Sequence, residues 1–175
     1  MDLIGKSPVP VPILVIGKVA FFCCSLFFLV KMLAVDAMLF ESGFTQSLGL
    51  TLYLAGFLIM IISLFQLGQS TAVGLPERET ELKTHGMYRF TRNPIYLGGF
   101  VLCTGSCFFS IHPLNFLLFA ITALVHHRII TREEQFLENR FGNRWLTYKQ
   151  KVPRYMGRIR RPDSRGHSTP EDPWR

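Results

Sequence analysis

Twenty consecutive residues without a charged side chain, Leu48 to Leu67, limit what this chain can fold into more than any other feature. About 20 apolar residues, each adding a rise of about 1.5 Å, are enough for a helix to cross the hydrocarbon core of a bilayer. The run therefore predicts a membrane-spanning helix.

Three further apolar blocks accompany this run: Ile13 to Phe40, Ile95 to Ile111 and Leu114 to Val125. The hydrophobic content of the chain, 49%, exceeds what a soluble domain of 175 residues needs, and these blocks hold the excess. The last block continues at helical spacing through Ile130, which predicts one helix that leaves the membrane and carries on. We therefore expect an all-α, polytopic integral membrane protein with about four transmembrane helices, and five as the upper bound.

The distribution of basic residues predicts how these helices are oriented. Of the 19 Lys and Arg residues, four lie between the second and third blocks and twelve lie from Arg128 onward, whereas residues 41–47 and 110–115 contain none. Cytoplasmic loops carry an excess of Lys and Arg, so we expect a multi-pass protein with both termini and the active site on the cytoplasmic side. The basic residues flank the spans, which favours contact with membrane lipids and argues against binding of nucleic acid.

The remaining composition indicates one domain and no metal. Residues 1–156 are expected to form a single membrane-embedded domain, and residues 157–175 a disordered basic tail rich in Arg, Pro, Gly and Ser. All four cysteines lie within predicted spans, without the paired spacing or neighbouring histidines of a metal site, so we expect them to act as small apolar side chains.

Two polar stretches are candidates for the site of function. The loop from Gln69 to Pro94 is long for a four-span protein, and a loop of this length usually has a function. The helix from about Ala120 to Arg140 places Glu133 and Glu134 about two turns beyond a pair of histidines. Gly142 is expected to end or bend this helix, before a short second helix that lies on the membrane surface. If the topology is right, both stretches lie on the same side of the membrane.

The two stretches contain the motifs LKTHGMYRFTRNPIYLGG and EEQFLENRFGNRWLTYKQKVPR. Together they resemble the isoprenylcysteine carboxyl methyltransferase family, with its bacterial and phospholipid-methylating relatives. The resemblance rests on Gly-x-Tyr, on Arg-Asn-Pro-x-Tyr-x-Gly, and on the Glu pair followed by Phe-Gly and Val-Pro. It covers about the C-terminal half of the chain. Asn93 stands where the eukaryotic members usually have histidine.

The resemblance implies a membrane-embedded methyltransferase that uses S-adenosylmethionine, in a cytoplasmic pocket formed by the loop before the third span and the C-terminal helical segment. Such a pocket needs backbone donors and acceptors, an apolar slot and at least one carboxylate. The cofactor-binding residues that the resemblance implies are Glu81, Leu82, Lys83, Tyr88, Asn93, Pro94, Ile95, Tyr96 and Glu133.

The resemblance also suggests catalytic residues for a lipophilic small-molecule or lipid-anchored acceptor. In the prenyl-protein enzymes an arginine just before the Glu pair meets the substrate carboxylate; Arg128 is the corresponding candidate, although it lies one position earlier than that pattern. A carboxylate acceptor needs a cation and no base, whereas a thiol or an amine must lose a proton. The candidates to take that proton are His127, Glu134 and His85, and the sequence does not choose among the three acceptor types.

Two alternatives remain. Membrane sterol reductases that use NADPH share a related C-terminal element but are longer and have more spans. A non-catalytic membrane protein, in which the loop and the Glu pair hold a helical hairpin together, is the other alternative.

Overall fold

The computed structural model describes residues 10–33, 42–68 and 82–157, and the secondary-structure elements in these ranges are all helices. They are α1 (Val11–Met32), α2 (Gly43–Gly68), α3 (Pro94–Phe109), α4 (Pro113–Phe141) and α5 (Asn143–Lys151), with a 3-10 turn over Gly86–Arg89. Three of them, α1, α2 and α4, are long and apolar enough to cross a membrane, and α3 is an apolar helix of 16 residues. The predicted all-α membrane architecture is confirmed.

Proline and glycine set the ends of the helices at which the chain turns. Pro94 and Pro113 begin α3 and α4, because proline lacks the N–H that would have no partner in a first helical turn. The ring Nδ1 of His112 accepts a hydrogen bond from the backbone N–H of Leu114 at 3.2 Å. Gly142 ends α4 with φ of 52°, in the left-handed region that favours glycine, and α5 follows at once. The predicted end of the long helix at Gly142 is therefore confirmed.

Helices α2 and α3 run antiparallel with their backbones in contact along a line of four glycines, which we call the glycine seam: Gly49, Gly56, Gly98 and Gly105. A Cβ atom on Gly56 would lie 2.3 Å from the backbone nitrogen of Leu102, and one on Gly105 would lie 2.3 Å from that of Tyr53. Lipid tails are as apolar as the helices, so helices associate in a bilayer by close packing of this kind.

Helices α1 and α4 complete the bundle. Gly17 lets α1 approach α4 so closely that a Cβ atom there would lie 2.9 Å from Cγ1 of Val125. One buried core cluster, inside the bundle, consists of Leu102 and three cysteines, and these cysteines are unbridged. Many large apolar side chains on the outside of α1 and α2 are exposed, among them Phe22, Phe57 and Phe65. Such an apolar outer surface suits a bilayer.

The described part of the loop before α3, residues 82–93, and the chain after α4 lie at the same end of the bundle, which we call the polar end. They contact each other directly, since the backbone N–H of Arg92 donates to the carbonyl of Pro153 at 2.9 Å. The two stretches that the sequence singled out are thus brought together across about 60 residues of chain.

Candidate active site

The carboxylate of Glu134 connects three segments of the polar end. Glu134 is 3% exposed and receives hydrogen bonds from Asn93 Nδ2 at 3.1 Å and from Arg154 Nη2 at 2.7 Å. Arg92 Nη2 lies 3.3 Å from Oε1, the oxygen that Asn93 also contacts, whereas Arg154 binds Oε2. We call these four residues the Glu134 anchor. It joins the loop before α3, the helix α4 and the chain after α5.

Neutral hydrogen bonds reinforce the anchor. The hydroxyl of Thr91, itself buried, donates to the carbonyl of Arg154 at 2.9 Å. The hydroxyl of Tyr148 on α5 donates to the carbonyl of Tyr88 at 2.7 Å. Burial raises the pKa of Tyr148, so this hydroxyl keeps the proton that it donates. This hydrogen bond consequently fixes the position of the 3-10 turn relative to α5.

The second carboxylate of the pair has a different environment. The Tyr96 hydroxyl donates to both oxygens of Glu133, at 2.9 and 3.0 Å, and joins the first turn of α3 to α4. Glu133 is partly buried, and one hydroxyl cannot fill the roughly four lone-pair positions of a carboxylate. Burial, with a smaller contribution from the charge of Glu133, raises the pKa of Tyr88 to about 12. Glu133 therefore retains acceptor capacity beside two neutral tyrosines.

An apolar cavity of about 130 Å³ lies between the helices, and Tyr96 forms part of its wall. All four long helices line this inter-helix cavity, through Phe21, Met60, Ile95, Tyr96, Gly99, Phe100, Thr122 and His126. His126 Nδ1 lies 2.8 Å from the carbonyl oxygen of Thr122. A carbonyl can only accept, so Nδ1 carries the proton of the neutral ring. The cavity suits an apolar ligand of the size of a few carbon atoms.

The structure brings together most of the residues that the sequence singled out. Tyr88, Asn93, Pro94, Ile95, Tyr96 and Glu133 lie at or next to the junction of the Glu134 anchor and the inter-helix cavity. Leu82 packs on the cluster of Trp145, Tyr148 and Val152, and Lys83 is partly buried. Glu81 lies outside the described residues.

Other candidates lie elsewhere. Arg128 is exposed and lines a separate groove of about 410 Å³, on a face of α4 different from that of Glu133. His127 also lines this groove and lies 2.9 Å from the Tyr155 hydroxyl, while His85 is exposed. Among residues 10–33, 42–68 and 82–157, no group of three His, Cys, Asp or Glu could hold a metal ion.

Three residues of the polar end were not predicted from the sequence: Arg92, Arg154 and Gln66. Gln66 accepts a hydrogen bond from the backbone N–H of Met87 at 2.8 Å and so ties the end of α2 to the 3-10 turn. A signal for the two arginines was present, because Arg92 opens the Arg-Asn-Pro motif and Arg154 follows Val-Pro directly. No pattern in the sequence indicated that both would meet the same glutamate.

Four apolar helices that line a cavity, with a buried polar cluster at one end, define a polytopic membrane protein with a candidate site for a polar and an apolar ligand. Comparison with known proteins identifies the family of the chain. The family model described as phospholipid methyltransferase matches residues 44–144, more than half of the chain, and the chain therefore belongs to that family.

Three relatives agree with this assignment and with the resemblance predicted from the motifs. A probable protein-S-isoprenylcysteine O-methyltransferase of Oryza sativa subsp. japonica is 30% identical over 125 residues, which are 67% of this chain and 65% of that protein. Protein-S-isoprenylcysteine O-methyltransferase B of Arabidopsis thaliana is 27% identical, over 62% of this chain and 57% of the plant protein.

The protein-S-isoprenylcysteine O-methyltransferase of Mus musculus is 34% identical over 41% of this chain and 26% of its own length. The chain thus spans less than two thirds of each of these relatives. No solved structure gives a significant match.

Proposed function

We propose that this chain is an integral-membrane methyltransferase that uses S-adenosylmethionine and transfers a methyl group to a lipophilic acceptor. The observation that carries the proposal is the contact between Tyr96 and Glu133, which lies where the polar end meets the inter-helix cavity. In this arrangement a charged ligand would approach the junction from the polar end, and an apolar ligand would approach it from the inter-helix cavity. The family and the named activities of the relatives support the same reaction class.

The residues at the junction fit the chemistry of this cofactor. Glu133 has acceptor capacity for an ammonium or for ribose hydroxyls, and Tyr88 and Tyr96 supply neutral rings and hydroxyls beside it. Leu82 and the loop before α3 complete the proposed pocket. When bound, S-adenosylmethionine supplies a methyl group that is activated by the positive charge on its sulfur.

The chain's own contribution is to position the reactants and to keep water out. The Glu134 anchor fixes the loop that leads into Tyr96, and a displacement of even 1 Å at a reacting centre can reduce the rate by about a hundredfold. We therefore propose that Glu134 acts by holding this loop. The inter-helix cavity would hold the apolar part of the acceptor. The resemblance also proposes Arg128 as a contact for an acceptor carboxylate; Arg128 lines the separate groove where α4 faces the first turn of α1, so it would contact the acceptor away from the inter-helix cavity.

The acceptor is a lipophilic molecule or a lipid-anchored group, in keeping with the substrates that the names of the relatives indicate. We propose, from the distribution of Lys and Arg, that the polar end and both termini face the cytoplasm. A lipid-anchored acceptor would then approach the cavity within the membrane while the cofactor enters from the cytoplasm.

Binding of the cofactor tests the proposal without knowledge of the acceptor. Calorimetric titration of the purified protein in detergent should detect binding of S-adenosylhomocysteine and none of NADPH. Glu133→Gln should weaken this binding by about tenfold or more, since a hydrogen bond to a charged group contributes about 1.5–3 kcal/mol. Glu138→Gln is the matched control, because Glu138 lies on the same helix and pairs with exposed Lys149.

Two outcomes would contradict the proposal. Binding of NADPH without S-adenosylhomocysteine would favour the reductase alternative. If Glu133→Gln and Tyr96→Phe lower the melting temperature but leave S-adenosylhomocysteine affinity unchanged, the contact between the two residues is structural.

A further inference from the structure

Arg92 is a buried cation whose hydrogen-bonding capacity is largely unused. Its side chain is 7% exposed, and among the described residues only Nη2 has an acceptor, Glu134 Oε1 at 3.3 Å. Nε and Nη1 are buried, and no described residue accepts a hydrogen bond from them. Buried donors without partners destabilise a fold, so each needs an explanation, such as a bound ion.

The charges around Arg92 do not balance. Glu134 is the carboxylate of the anchor and is shared by Arg92 and Arg154. Arg154 is 31% exposed and can be hydrated, whereas Arg92 is enclosed. Burial lowers the pKa of Arg92 while the charge of Glu134 works in the opposite direction. In the part of the chain that the structure describes, two guanidinium groups share one carboxylate, which leaves the anchor one negative charge short.

A second buried donor lies beside the first. Trp145 is 2% exposed, and its indole Nε1 is buried with no acceptor among the described residues. The guanidinium carbon of Arg92 lies over this ring, 5.7 Å from its centroid. Tyr148 packs against the other part of the ring, and its own hydroxyl donates to Tyr88. Among the described residues, the buried side-chain atoms without partners at Arg92 and Trp145 are all N–H donors.

We propose that Arg92 and Trp145 bind the carboxylate at the amino-acid end of the methyl donor. This inference rests on the proposed function. A carboxylate accepts up to four hydrogen bonds and carries the charge that the anchor lacks, and the planar guanidinium fork matches its geometry. Glu133, which precedes Glu134 on α4 and accepts from Tyr96, is the acceptor proposed for the ammonium of the same group. Arg92 would thus bind the negative charge of the amino-acid end, and Glu133 would bind its positive charge.

Two ligands that differ in this carboxylate alone test the inference. S-adenosylhomocysteine is titrated against its decarboxylated analogue, which keeps the amine, for the wild-type protein and for Arg92→Met in detergent. Wild type should prefer the carboxylate-bearing ligand by about tenfold to hundredfold, the contribution of a charged hydrogen bond. Arg92→Met should reduce this preference to less than about threefold, while it changes the affinity for the decarboxylated analogue little.

Further variants separate recognition from folding. Arg89 is exposed and lies on the 3-10 turn three residues earlier, so Arg89→Met is the matched control and should keep the full preference. Trp145→Phe keeps the ring and removes Nε1, so it should lower the preference without abolishing it. If Arg92→Met does not fold, Arg92→Lys and Trp145→Phe decide the question, because each keeps either the charge or the ring and should still lower the preference.

The outcomes distinguish this inference from the proposed function. Wild type that binds both ligands equally, or variants at Arg92 and Trp145 that keep the full preference, would overturn the inference and leave the cofactor assignment intact. Wild type that binds neither ligand would overturn the proposed function, and this inference with it.

Discussion

Replacing Glu134 by glutamine removes the carboxylate that joins three segments of the polar end. The substitution leaves Arg92, with 7% of its side chain exposed, without its one carboxylate partner, and places an amide N–H₂ among three donors. Breaking a buried ion pair by removing one partner costs about 3–5 kcal/mol. Because Arg154 is about one third exposed, water partly replaces the interaction that Arg154 loses. We therefore expect the free energy of unfolding to fall by about 3 kcal/mol.

Thermal unfolding in detergent, followed by circular dichroism, measures this loss. About 3 kcal/mol corresponds to a decrease of roughly 6–12 °C in melting temperature for a chain of this size. Glu138→Gln is the control, because its partner Lys149 and Glu138 itself are each 41% exposed, and a surface pair contributes about 1 kcal/mol or less. Equal melting temperatures for the two variants would refute the prediction that the Glu134 anchor stabilises the fold. A Glu134→Gln protein of unchanged stability and cofactor affinity, but with lost methyl transfer, would point to a proton-transfer role instead.

Further predictions concern the helices. Gly56→Ala should lower stability by about 1–3 kcal/mol, since its Cβ would meet backbone atoms of Leu102 that cannot move aside; Gly43→Ala, with nothing within 4 Å, should unfold like wild type in the same thermal assay. Gly99→Val should fill part of the inter-helix cavity against Phe21, and so reduce transfer of labelled methyl groups to extracted membrane lipids while S-adenosylhomocysteine affinity stays constant. Lower cofactor affinity in this variant would place the cavity within the cofactor site.

The sequence predicted the helices because their signals are local. The uncharged run from Leu48 lies within α2, and the predicted continuation beyond Val125 is found in α4, which extends to Phe141. The motif residues Tyr96 and Glu133 are in contact although 37 positions separate them, and it was the family resemblance that indicated both as parts of one site.

The contacts that define the polar end could not be predicted in the same way. Glu134 interacts with arginines 42 positions before it and 20 positions after it, and pairing over such separations depends on the path of the whole chain. The glycine seam had a signal in the sequence, an equal spacing of seven between Gly49 and Gly56 and between Gly98 and Gly105. That spacing alone does not say that the two pairs face each other.

The length of α3 has a consequence for the bilayer itself. Sixteen residues rise about 24 Å, whereas the hydrocarbon core is about 30 Å thick, and the glycine seam clasps α3 to the longer α2. A helix that is too short and cannot slide along its neighbour must thin the surrounding membrane or leave its ends below the headgroups. Tyr96 stands in the first turn of α3, so this hydrophobic mismatch would place it several ångströms deep. A membrane-dissolved acceptor would then have to move only a short distance from the bilayer interior to reach Tyr96. Activity should therefore vary with the acyl-chain length of the surrounding lipid.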